Sequence, residues 1–235
     1  MMECTQLNFS KLERTNHLNK KVLVACEESQ TVTKKLRERG WEAYSADIKY
    51  STGGHPEWHY KGDVTKILNK DWYAILAFPP CTHLTVTGAR HFPAKRKDGR
   101  QREAIEFFMQ FLTSKCPRVC VENPVNIIGG GEYLIDFFPE LARKYHLPIP
   151  PTQFVQPYEY GDSVTKKTAL WLKGLKPLRP TNIVGKGHRL YTPSGSLMST
   201  FHYNSWKDST HRSKTFDGIA TAMVTQWFPD LTKLQ

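Results

Sequence analysis

From Lys21 onward, short apolar runs alternate with amphipathic stretches and polar turns. Lys21–Ala25 (Lys-Val-Leu-Val-Ala) and residues 73–78 have the length and aliphatic content of strands buried on both faces. Residues 31–39 place Val32 and Leu36 on one helical face, and Gly40 follows where a left-handed residue often ends a helix. Residues 41–46 read as a second strand, closed by Asp47. Strand, helix and strand at this spacing form a βαβ unit and predict a parallel sheet. Residues 51–60 read as a Gly/His/Pro loop, and Gly62-Asp63-Val64 opens a short helical segment reaching Leu68. Ile105, Phe108, Met109 and Leu112 recur at helical spacing, and residues 118–121 form a strand ended by Glu122-Asn123-Pro124. After Gly129-Gly130-Gly131 a helix interrupted at Pro139 is expected over residues 133–145. Residues 152–156 and 168–172 predict two more strands, and Ala220, Met223, Val224 and Trp227 a final helix. The pattern is that of an α/β domain.

Composition narrows the setting. The 235 residues are 39% hydrophobic and 12% aromatic, enough for one packed domain with a small lobe. No apolar run approaches a membrane span and no signal-peptide pattern opens the chain, so a soluble, intracellular protein is expected. Five cysteines, an odd and scattered set, suggest reduced thiols. The 33 Lys and Arg against 22 Asp and Glu leave a net charge of +11, a field suited to a polyanion such as nucleic acid. No membrane contact or obligatory protein partner is implied.

The chemistry-bearing residues cluster at strand ends. In an open α/β sheet, ligands bind beyond the carboxyl ends of the strands. Pro79-Pro80 stops the third strand and sets Cys81 just beyond it, where a thiol is either a buried filler or a nucleophile on a rigid turn. Glu122 ends the next strand, and a carboxyl there can hydrogen-bond a ring nitrogen and an exocyclic amine. Glu27 or Glu28, Asp47 and Asp63 follow strand ends in order, as turn and cap residues or as acceptors for a nucleoside. Lys95-Arg96-Lys97-Asp98-Gly99-Arg100-Gln101-Arg102 reads as a basic loop, either solvated or phosphate-binding. His55 and His59, like Cys116 and Cys120, are four apart and read as loop and strand residues; no metal site is expected.

Taken in order, these motifs resemble those of the cytosine-C5 methyltransferases, over residue 22 to the C-terminus. Pro79-Pro80-Cys81 looks like the nucleophile motif, and Glu122-Asn123-Pro124 looks like the Glu-Asn-Val motif whose glutamate contacts the target base. Asp47, with Ile48 beside it, and Gly62-Asp63-Val64 match the two acidic cofactor positions. Tyr160-Gly161 followed by Lys166-Lys167-Thr168 resembles the family's Tyr-Gly-…-Gln-x-Arg-x-Arg motif. Gly218-Ile219-Ala220 is similar to the final Gly-Asn-Ala motif that returns to the cofactor pocket. Patterns such as Ala25-Cys26-Glu27 and Phe78-Pro79-Pro80-Cys81-Thr82 are similar to those of short phage- and prophage-type members.

The resemblance implies a Rossmann-like class I methyltransferase fold with a mostly parallel sheet. It implies S-adenosyl-L-methionine as cofactor, DNA as substrate (RNA as an alternative polymer), and a role such as restriction–modification in a bacterial or phage-infected cytoplasm. Cys81, Glu122, Lys166 and Lys167 would be catalytic; Cys26, Glu27, Asp47, Ile48, Asp63, Val64, Pro79 and Ile219 would line the cofactor site. Residues 1–20 would be an arm, 21–172 the catalytic domain, 173–211 a minimal target-recognition insertion, and 212–235 a helix returning to the catalytic domain. The chain departs from the family at its first loop, Ala25-Cys26-Glu27-Glu28-Ser29-Gln30, which has no glycine; there Glu27 would engage the cofactor's ammonium. Val164, Lys166 and Thr168 stand in place of the glutamine and two arginines, with Lys167 as a second reach toward the base carbonyl. The same motifs also suit an enzyme acting on tRNA or a pyrimidine nucleotide, and a non-catalytic DNA-binding protein on the same scaffold.

Overall fold

The computed structural model describes residues 20–187, 189–191, 195, 197–199 and 214–233. The expected N-terminal arm, apart from Lys20, and residues 200–211 of the expected insertion lie outside them. In chain order the main elements are β1 (Lys21–Ala25), α1 (Thr31–Glu38), β2 (Glu42–Asp47), β3 (His59–Lys61), β4 (Ala74–Ala77), α2 (Phe92–Lys97), α3 (Arg100–Leu112) and β5 (Val119–Pro124). They continue with α4 (Tyr133–Phe137), α5 (Pro139–Tyr145), β6 (Gln153–Val155), β7 (Thr168–Lys173), β8 (Arg189–Tyr191), β9 (Leu197–Ser199) and α6 (Asp217–Trp227).

Seven strands form one sheet in the order β3-β2-β1-β4-β5-β7-β6, and β8 and β9 form a separate antiparallel hairpin. Pairing is parallel from β3 to β5, while β7 runs antiparallel to both of its neighbours. This is a Rossmann-like α/β fold with a mostly parallel sheet. Side chains alternate across the sheet, so each central strand feeds two cores. Leu23, Ile75, Val121 and Trp171 pack with Ile105 and Phe108 of α3 on one face. Val22, Val24, Leu76 and Leu170 pack with Val32 and Leu36 of α1 and with Ala220, Met223 and Val224 of α6 on the other. The continuous apolar character of β1 and β4 follows from this double burial.

Two segments differ from the sequence expectation. The loop expected over residues 51–60 ends in β3, whose His-Tyr-Lys sequence has no apolar signal and whose strand exists because it pairs with Ser45–Asp47. The basic stretch Lys95 to Arg102 is not a loop. It is the end of α2, a break at Asp98-Gly99, and the first turn of α3. Lys and Arg are good helix formers, and Gly99 at φ 83 supplies the left-handed residue that separates the helices. Among the described residues no helix is long and apolar enough to cross a membrane.

Candidate functional site

The parallel register sets Ala77 of β4 opposite Val121 of β5, so the turn carrying Cys81 lies at the same edge of the sheet as Glu122, in the last residues of β5. A buried amide network joins the Cys81 turn to the end of β5. Asn123, 1% exposed, donates from Nδ2 to the Pro79 carbonyl at 2.7 Å. Asn126 Nδ2 donates to Asn123 Oδ1 at 3.0 Å, and Asn126 Oδ1 accepts from the Ile128 amide at 2.9 Å. The Ile127 amide donates to the Leu84 carbonyl at 3.1 Å, and Thr85 bridges to Asn126. Each buried amide group is thereby satisfied, and proline supplies a carbonyl without needing an acceptor for an N–H.

The half-buried Cys81 opens a tight turn: its carbonyl accepts from the amides of Leu84 and Thr85, both at 3.0 Å. The turn is held from the helix side as well. Lys95 Nζ of α2 donates to the Thr82 carbonyl at 2.5 Å, and Gln101 Nε2 of α3 donates to the His83 carbonyl at 3.1 Å. Gln101 Oε1 accepts in turn from the Tyr133 hydroxyl at 2.7 Å. The basic segment is therefore largely spent on the protein. Arg96 lies over Phe137 at 3.9 Å, Arg100 pairs with Asp98, and Arg102 pairs with Glu140.

Burial pushes the Glu122 carboxyl up, and the nearby Lys166 ammonium pulls it partly back. Lys166 and Lys167 lead into β7, whose first residue, Thr168, pairs with Pro124 at the end of β5. Lys166 also lies 5.5 Å over the Phe216 ring. Its neighbour Lys167 is exposed, with its ammonium 4.0 Å over Phe154 of β6. Of the two candidate lysines, Lys166 is the one brought to Glu122. The Tyr160-Gly161 and Gly218 motifs also meet, since the Gly218 amide donates to Asp162 Oδ2 at 3.1 Å. A Cβ on Gly218 would overlap the Tyr160 carbonyl oxygen, so glycine is required where α6 abuts this turn.

The candidate cofactor residues separate into two groups. Asp47 and Ile48 leave the end of β2, where Asp47 Oδ1 accepts from the Lys49 amide at 2.9 Å and Ile48 is 75% exposed. Cys26, at φ 59, ends β1 beside Asp47; burial first and the Asp47 charge second push its thiol up. Asp63 accepts from the Thr65 amide at 3.0 Å and hydroxyl at 2.8 Å, and these bonds hold its carboxyl below the usual range. The others are occupied in the interior. Glu27, 5% exposed, accepts from the Val32 amide at 2.6 Å, the Thr33 hydroxyl at 2.7 Å and the Thr33 amide at 3.3 Å. It caps the first turn of α1, and burial raises its pKa to about 7. Val64 at 4% and Ile219 at 2% exposure are core side chains, Ile219 lying between α6 and the sheet. Pro79 is buried and contributes its carbonyl to Asn123.

Sequence reasoning missed Asn126 and read Lys95 and Gln101 as part of a solvated or phosphate-binding loop, whereas all three hold the Cys81 turn. Asn126 had a signal, since a polar residue between Val125 and Ile127 needs a partner when buried. It also missed a polar chain beneath β2. Gln30 Nε2 donates to Ser45 Oγ at 3.1 Å, and Ser45 Oγ meets His59 Nδ1 at 2.8 Å. His59 Nε2 meets the Lys49 carbonyl at 2.9 Å. His59 and His55 diverge, the latter stacking on Trp58 at 3.8 Å. Among the described residues no three His, Cys, Asp or Glu side chains converge as a metal site.

No family model matches the chain, and no curated protein matches it. Among solved structures it is similar to an E. coli prophage-encoded protein described as a DNA modification methyltransferase, at 12% identity and a TM-score of 0.44. The match covers 70% of this chain and 52% of that one, so it spans about half the length of that protein.

Proposed function

We propose that this chain is an S-adenosyl-L-methionine-dependent methyltransferase that acts on C5 of cytosine in DNA, with Cys81 as the nucleophile. The observation that carries the reading is the convergence at one sheet edge of the Cys81 turn, Glu122 and Lys166, locked by the Asn123–Pro79 hydrogen bond. The strand order supports a class I methyltransferase, and the charge of +11 supports a polyanionic substrate.

The residues at the ends of β1 to β3 fit the nucleoside half of the cofactor. One Asp47 oxygen is taken by the Lys49 amide; the other can accept from ribose hydroxyls, and the exposed Ile48 offers a purine an apolar surface. Glu27 does not fit the cofactor's ammonium, because both its oxygens cap α1. When bound, the cofactor supplies an electrophilic methyl group.

The remaining steps belong to the chain. The Cys81 thiolate adds to C6 of a cytosine flipped out of the helix, forming an S–C6 bond and moving an electron pair toward C5. Burial favours the protonated form of Glu122, in which it can donate to N3, and its other oxygen can accept from the exocyclic amine. C5 takes the methyl group through that electron pair. Loss of the C5 proton to water re-forms the C5–C6 double bond and expels the Cys81 thiolate, and N3 returns its proton to Glu122, which restores the ring. Lys166, beside Glu122, is suited to a base carbonyl or phosphate as a point charge. The segment over residues 182–187 hydrogen-bonds to the stretch before Lys166, Ser163 Oγ donating to the Gly185 carbonyl at 2.8 Å and Thr165 Oγ1 to the Lys186 carbonyl at 3.0 Å.

The test is methyl transfer from labelled S-adenosylmethionine to DNA, tRNA and free pyrimidine nucleotides, with base analysis of the product. New 5-methylcytosine in DNA, lost in Cys81→Ala without loss of fold, supports the reading. Label in tRNA or nucleotide alone, or undiminished transfer by Cys81→Ala, refutes it. The capping of α1 by Glu27 favours one rival, a DNA-binding scaffold that uses no cofactor; calorimetry with S-adenosylmethionine separates the two.

A further inference from the structure

Lys95 is a buried cation in an unusual position. It lies on α2 at 8% exposure, and among the described residues it has no carboxylate within ion-pair distance. Its ammonium donates to the Thr82 carbonyl at 2.5 Å, the residue next to Cys81, and lies 5.9 Å from the Phe92 ring. Gly88 closes over it: a Cβ there would stand 3.5 Å from Lys95 Nζ. Burying an ammonium without a counter-ion is costly, and an uncompensated charge acts at longer range inside a protein than in water. Its field already registers on the turn, since the His83 ring is held below its usual pKa by burial and next by Lys95.

We propose that Lys95 is a positioning residue for Cys81, holding the turn through the Thr82 carbonyl and favouring the thiolate with its unneutralised charge. The inference rests on the reading of Cys81 as a nucleophile. The groups that set the balance around this turn are His83 on the turn, Lys95 of α2, Asp98, Arg100 and Glu103 at the α2–α3 junction, Glu122 of β5, and Lys166 before β7. Glu122 opposes Lys95 only in its ionised form, and its own burial disfavours that form.

The experiment is the pH dependence of Cys81 alkylation by iodoacetamide, followed by peptide mass spectrometry on the full-length protein. Wild type is expected to inflect below the ordinary thiol value of about 8.5. Lys95→Met should move the inflection up by about one unit and slow alkylation at neutral pH several-fold. Lys95→Arg, which keeps the charge, should restore most of the shift, whereas a purely structural role would not respond to charge. A wild-type inflection at or above the ordinary value overturns the proposal by itself, whether or not the variants fold. So does an unchanged inflection in Lys95→Met. Because alkylation needs neither cofactor nor DNA, a protein that fails to methylate but shows the shift loses only the methyltransferase reading. One that methylates without the shift loses only the role of Lys95.

Discussion

Glu27 caps α1 from the interior, and that placement has a measurable consequence. Three donors from Val32 and Thr33, together with the positive end of the helix, favour its carboxylate. Burial opposes them and wins, raising the pKa from 4.5 to about 7. The folded state therefore binds a proton more tightly than the unfolded chain does. Between about pH 4.5 and pH 7 the folded state holds more protons, so stability falls as pH rises through that window. The full effect of a shift of that size is about 3 kcal/mol, of which about 2 kcal/mol accrues between about pH 5 and pH 7.5. Urea unfolding followed by tryptophan fluorescence at those two pH values measures it. Glu122 is also raised, so the comparison is with Glu27→Gln, which cannot ionise and keeps an acceptor for the Val32 amide. The wild-type protein should lose about 2 kcal/mol more than the variant on going to the higher pH. Equal slopes, or a wild type that gains stability with pH, would show that the helix end outweighs burial and would refute the reasoning.

Asn123→Ala removes the amide that joins the Cys81 turn to the end of β5 and strands the Pro79 carbonyl and the Asn126 amide; a loss of about 3 kcal/mol is expected in denaturant unfolding, with methyl transfer falling further than stability accounts for. Gly218→Ala drives a methyl group into the Tyr160 carbonyl, and a loss of about 2 kcal/mol or more should appear as a lowered Tm. Lys166→Met removes the cation that lowers the Glu122 pKa, so the alkaline limb of the kcat–pH profile should move to higher pH. Lys167→Met, whose ammonium lies over Phe154, should leave that limb in place; equal shifts in the two variants would contradict the assignment of Lys166.

The central strands β1, β4 and β5 were legible because each is buried on both faces, which leaves an unbroken apolar run such as Val22–Ala25 that no surface element shows. Pro79-Pro80 and Pro124 marked the strand ends, so the sequence alone put Cys81 and Glu122 at neighbouring strand ends on one edge. The α/β class, the parallel pairing and the final helix followed from local pattern for the same reason.

What the local pattern could not contain is which side of an element a polar residue takes, because that depends on partners remote in sequence. His59 belongs to a strand only because Ser45 lies beside it. Lys95 is a buried donor to the Cys81 turn rather than a surface charge, because α2 folds back onto that turn. The motif order points Glu27 and Ile219 toward a ligand, whereas the start of α1 takes the Glu27 carboxyl as its cap and the packing of α6 on the sheet takes Ile219 into the core. Lys166 and Lys167 are adjacent in sequence, yet only the tertiary pairing of β7 with β5 turns one toward Glu122 and the other toward Phe154. Hydrophobic periodicity is a local property and survives in the sequence; the environment of a buried charge is a sum over distant segments and exists only once they are assembled.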